Sequence, residues 1–89
     1  MGVTHFTCDA AGVSGTTEVN YREIPGGWEA RVGIALLGRA NLPPEQLRLL
    51  SPFDPQFHDN YAMGRGSTKG LALAALRRDV ALTADTLQF

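Results

Sequence analysis

The sequence predicts an α+β domain: an antiparallel sheet of three to five strands, with one long C-terminal helix packed on one face. Three observations carry that reading. Leu73, Leu76, Val80, Thr83, Ala84 and Leu87 recur at three- and four-residue steps, which places them on one side of a helix over residues 69–87. Residues 16–24 and 28–36 alternate apolar with polar on either side of Pro25-Gly26-Gly27, the pattern of a β-hairpin. Each of those strands shows one apolar face, and the helix is the only other segment long enough to cover it, which leaves the opposite face of the sheet in water.

Taken in order, residues 3–8 read as a first strand, with Val3, His5 and Thr7 on one face and Thr4, Phe6 and Cys8 on the other. Residues 9–15, with Gly12, Ser14 and Gly15, read as a loop. In the next strand Thr17, Val19 and Tyr21 share one face and Glu18, Asn20 and Arg22 the other. After the turn, Trp28, Ala30, Val32, Ile34 and Leu36 point inward, while Glu29 and Arg31 point out to solvent. Residues 38–41 are a loop. Pro43, Pro44 and Glu45 suit the first turn of a short helix, whereas residues 47–50 read equally well as a strand. Pro52, Asp54 and Pro55 mark another loop, and residues 57–63 read as the last strand. Gly64-Arg65-Gly66-Ser67-Thr68 is expected to be a turn that starts the helix, with Ser67 as N-cap and Thr68 as the alternative.

Eighty-nine residues make one domain, residues 1–89. With 44% hydrophobic and 19% charged residues, the chain can build a core and falls outside the disordered class. The net charge is −1, without the basic excess of a general phosphate-backbone binder, so nucleic acid is the less favoured partner. No apolar run reaches the roughly 18 residues of a membrane span. The N-terminus lacks the basic-then-apolar layout of a signal peptide. Cys8 is the only cysteine, so no internal disulfide forms, which fits a reducing compartment. The expected location is the cytoplasm.

No segment carries a catalytic, metal or nucleotide motif. In Gly64-Arg65-Gly66-Ser67-Thr68-Lys69-Gly70 the lysine precedes the glycine, the reverse of a phosphate-binding Walker loop, and the dinucleotide spacing is missing. His5, Cys8, His58 and Asp59 have zinc-ligand chemistry, but His5 and Cys8 fall on opposite faces of a strand. One cysteine and two histidines do not make a nucleophile–base constellation either. Tyr21, Trp28, Phe57 and Tyr61 suit base stacking, yet the same residues suit the core beneath a helix. The expectation is no enzyme, no cofactor and no bound metal.

Surface chemistry is more informative. Lys69 sits in the first helical turn and Asp85 in the last, the reverse of what the helix dipole favours, and Arg65 and Lys69 leave that N-terminus electropositive. Leu71, Ala75 and Leu82 form a second apolar stripe broken by Arg78. Arg65, Lys69, Leu71, Arg78 and Leu82 are therefore the candidate partner-binding residues, the partner being another protein or a second copy of the chain.

Gly64-Arg65-Gly66-Ser67-Thr68-Lys69-Gly70-Leu71-Ala72-Leu73 resembles the glycine–threonine turn before the helix of HicB-like antitoxin domains. The resemblance covers about the last 25 residues and the strand order before them, and it implies a β-β-β-α core that binds and masks another protein. The family's DNA-binding segment has no counterpart in this sequence, and its compact proline-glycine turn before the last strand is replaced by residues 38–57. In profile the chain is also similar to small phage-encoded inhibitors such as anti-CRISPR proteins, which are short, motif-poor and near neutral or acidic. Together these imply a non-catalytic inhibitor or neutraliser of a partner protein.

Overall fold

The computed structural model describes residues 5–8, 13–36 and 47–86. The chain runs β1 (His5–Thr7), β2 (Val13–Ser14), β3 (Thr16–Glu18), β4 (Asn20–Ile24), β5 (Gly27–Leu36), β6 (Leu47–Leu50), a 3₁₀ turn (Pro55–His58), β7 (Tyr61–Gly66) and α1 (Lys69–Thr86). It is an α+β fold with the helix laid on one face of the larger sheet. Among the described residues no helix is long and apolar enough to cross a membrane.

The ten-residue β5 is the hub, because three strands pair with it. Gly33 pairs with Leu50 of β6 and with Tyr61 of β7, so those two strands lie on opposite edges. β4 and β7 both pair along the first half of β5, so β4 shares an edge with β6. The segment expected as one strand over 16–24 therefore changes partner at the buried Val19: β4 stays on β5, and β3 turns away to pair with β1. The Thr17 hydroxyl ties that branch back by donating to the Leu50 carbonyl at 2.6 Å. Val13 and Ser14, expected in a loop, form β2, which runs parallel to β6, so the large sheet is mixed and not wholly antiparallel.

The hairpin stands, with one change. Ile24 pairs with Gly27, so the turn holds only Pro25 and Gly26, and Gly27 is the first residue of β5. Gly26 has φ 88°, the left-handed value that the second central position of a type II turn requires after a proline.

Residues 47–50 are a strand, with Leu47 and Leu49 in the core; the helix expected over 42–47 lies largely outside the described residues. The strand expected over 57–63 starts later. Residues 55–58 form the 3₁₀ turn, with Asp54 Oδ1 accepting from the Gln56 N–H at 2.9 Å, and β7 runs on through Gly64 and Gly66. Those glycines do not form a turn. A Cβ on Gly64 would fall on the Leu76 amide nitrogen and within 2.5 Å of the Ala72 carbonyl oxygen, and one on Gly66 would lie 2.6 Å from the Ala72 nitrogen. They are bare because the helix backbone rests directly on the strand.

The cap is Thr68, whose Oγ1 accepts from the Leu71 N–H at 3.2 Å while its carbonyl accepts from the Ala72 N–H. The helix buries Ala72, Leu76 and Val80, with Leu73 packed beside them. Leu76 and Val80 hold the expected stripe, Ala72 joins it where the helix backbone rests on Gly64 and Gly66, and Leu73 is only partly buried. Ala30, Val32 and Ile34 from β5, Leu47 and Leu49 from β6 and Ala62 from β7 join the core, with Phe6 of β1, Val13 of β2 and Val19 between β3 and β4. At the far end, Arg77 stacks 4.9 Å from the Phe6 ring and donates to the Thr7 carbonyl, which ties β1 to the helix.

Candidate functional site: the arginine face of the sheet

Alternation along β5 turns Ala30, Val32 and Ile34 toward α1 and so turns Glu29, Arg31 and Gly33 to the opposite face. The register then surrounds Glu29. Arg22 of β4 stands directly across on one side and Arg65 of β7 on the other, with Arg31 two residues along β5. Arg31 Nε donates to Glu29 Oε1 at 2.8 Å, Arg22 Nη2 lies 3.1 Å from the same oxygen, and Arg65 Nε donates to Oε2 at 3.1 Å. Glu29 is expected in solvent; instead its side chain is 1% exposed, while those of Arg22 and Arg65 are 61% and 63% exposed. It is covered by guanidinium groups at the sheet surface and is not sunk in the apolar core. Three cations against one carboxylate leave this patch with two positive charges in excess.

Burial pushes the Glu29 carboxyl up. The hydrogen bonds from Arg31 and Arg65, with the charges of Arg31 and Arg22, outweigh it and hold the group below its ordinary value of 4.5. A lowered folded value means the contribution to stability is complete above 4.5 and is lost as pH falls through the folded value. Acid unfolding of the wild type should therefore steepen below pH 4.5, and Glu29→Gln should flatten that limb. At neutral pH Glu29→Gln should cost about 1–2 kcal/mol, discounted because two of its partners are well solvated. Superimposable pH–stability curves for the two proteins would show that Glu29 is not charge-paired in solution.

Beside the cluster, Arg31 lies 5.1 Å from the centroid of Tyr61, itself 41% exposed. Further along, Phe57 closes the same face. A Cβ on Gly33 would meet its Cδ2 at 2.7 Å and the Leu50 Cβ at 2.9 Å, so the missing side chain is the seat for the ring. The open surface is thus bounded by Phe57 at one end and carries Arg22, Arg31, Arg65 and Tyr61.

The residues singled out in the sequence are divided by this geometry. Arg65 belongs to the Glu29 cluster. Lys69 lies on the helix side, its Nζ 4.6 Å from the Trp28 ring and 5.4 Å from that of Tyr21. The two cations therefore do not converge on one ligand. Leu71 and Leu82 are 55% and 59% exposed on the outer surface of α1, where Arg78 is also exposed. Tyr21 and Trp28 pack against the helix-side core, whereas Phe57 and Tyr61 lie on the other face, so the four aromatics do not form one platform. Glu29, Arg22 and Arg31 are the site residues missed by sequence reasoning. With a two-residue turn at Pro25-Gly26, the Arg22–Glu29 pairing can be counted from the sequence, whereas placing Gly27 in the turn slips the register by one.

His5 is exposed on β1, Cys8 is half-buried beside the core, and His58 and Asp59 are exposed at the 3₁₀ turn; among the described residues no three metal-binding side chains gather. A shallow cavity of about 220 Å³ brings His5, Glu18 and Ser51 onto one rim beside Phe53, which is 89% exposed. Ser51 Oγ accepts from the Phe53 N–H, and among the described hydrogen bonds none links the serine, histidine and glutamate as nucleophilic catalysis requires.

Comparison with protein-family models, curated proteins and solved structures gives no match.

Proposed function

We propose that the protein is a non-catalytic binding module that docks on an acidic surface of another protein and inhibits or neutralises it. The observation that carries this is the arginine face. Arg22, Arg31 and Arg65 are held in place by one buried carboxylate, with a net excess of positive charge on a chain whose net charge is −1. Arginine and tyrosine dominate protein-binding hot spots, and a guanidinium already fixed by Glu29 loses less freedom when a partner carboxylate takes its remaining donors. The resemblance to HicB-like antitoxin domains points to the same kind of role. The proposed setting is the cytoplasm, where Cys8 stays a free thiol.

The test compares wild type with Arg22→Gln/Arg65→Gln, two exposed positions whose loss spares the core. Immobilised protein is exposed to native-host lysate, the retained partner is identified, and its affinity is measured over a salt series. The double variant should bind that protein at least about tenfold more weakly. Equal affinity would remove the arginine face from recognition. Retention of nucleic acid alone, weakening steeply with salt, would make the module a nucleic-acid binder instead.

A further inference from the structure

β7 is an edge strand: β5 pairs with its inner side, and among the described residues no strand pairs with its outer side. The Ile34 N–H donates to the Asn60 carbonyl at 2.8 Å, so the even-numbered positions turn their backbone groups toward β5, and Tyr61, Met63 and Arg65 turn theirs outward. An unpaired edge of this kind is a template for another strand. Here the central outward donor is taken, because Asp79 Oδ2 accepts the Met63 N–H at 2.8 Å. Asp79 lies beside the buried Ala72–Leu76–Val80 stripe on α1, from where its carboxylate reaches this edge.

We propose that the outer edge of β7 is a pairing surface for a second copy of this chain, and that Asp79 is the latch that keeps it shut. The edge is self-complementary. Antiparallel pairing about Met63 would set Tyr61 of each copy opposite Arg65 of the other, on the face where Arg31 already stacks on Tyr61. Asp79 opposes this twice: it occupies the N–H at the two-fold axis, and it would bring two carboxylates together there. The inference is independent of what the arginine face binds.

Sedimentation velocity on wild type, Asp79→Ala and Asp79→Ser, from low to high micromolar concentration, tests it. The wild type should be monomeric, and the two variants should dimerise at least about tenfold more tightly. Adding Met63→Pro to Asp79→Ala should restore the monomer, since that N–H faces away from β5 and its loss leaves the β5 ladder intact. A dimeric wild type, monomeric folded variants, or dimers that survive Met63→Pro would overturn the proposal. If neither Asp79 variant folds, hydrogen exchange of the wild type decides: a Met63 amide slower than those of Tyr61 and Arg65 supports the latch, and one exchanging with them overturns it.

Discussion

Gly64→Ala should cost about 3 kcal/mol or more, a large part of the roughly 5–15 kcal/mol that holds a domain together. The new methyl would fall on the Leu76 nitrogen, 2.5 Å from the Ala72 oxygen and 2.7 Å from the Ala75 carbonyl carbon. All three are backbone atoms of α1, so no rotamer change relieves the clash and the helix must lift from β7. The expected result is a much lower urea midpoint, with the remaining folded protein binding its partner less well, because β7 also carries Arg65 and Tyr61. An unchanged midpoint would mean that helix and strand do not touch at Gly64.

Leu76→Ala should cost about 2–5 kcal/mol. Leu76 is completely buried, one turn from Ala72 and Val80, and truncating it leaves a hole between helix and sheet that backbone-level packing cannot close. Unlike Gly64→Ala, it leaves the strand–helix contact sterically intact and touches nothing on the arginine face. The denaturation midpoint should fall while partner affinity, measured on folded protein, stays within about twofold. A midpoint within error of wild type would take the helix out of the core. A parallel loss of affinity would place recognition on the helix side, with Lys69 and Leu71.

Much of the fold was legible because it is written in local periodicity. The helix, the hairpin and the inward set Ala30, Val32 and Ile34 each follow from side chains that repeat with the period of their own element. The arginine face was half legible. Glu29 and Arg31 are two residues apart on one strand, and Arg22 reaches Glu29 across a turn whose length sets the register. Arg65 joins them from 36 residues away, and no local pattern announces that pairing. The same holds for Gly64 and Gly66. In sequence a Gly-x-Gly stretch before a helix reads as a turn, because glycine is the usual turn residue. In the folded chain these glycines are strand residues, and their missing side chains are room for the backbone of α1.

The class of fold, the hairpin, the helix and the inward residues of β5 follow from local pattern, since alternation and helical repeat are properties of a short segment. That β5 takes partners on both edges, that Glu29 lies buried beneath three arginines, that Arg65 and Lys69 face opposite sides of the sheet and that Asp79 caps the edge of β7 is set by long-range packing. Each of these depends on which segments meet across the sheet. That choice is made by the summed packing of the whole chain, where a pairing between distant residues leaves no periodic mark on either one.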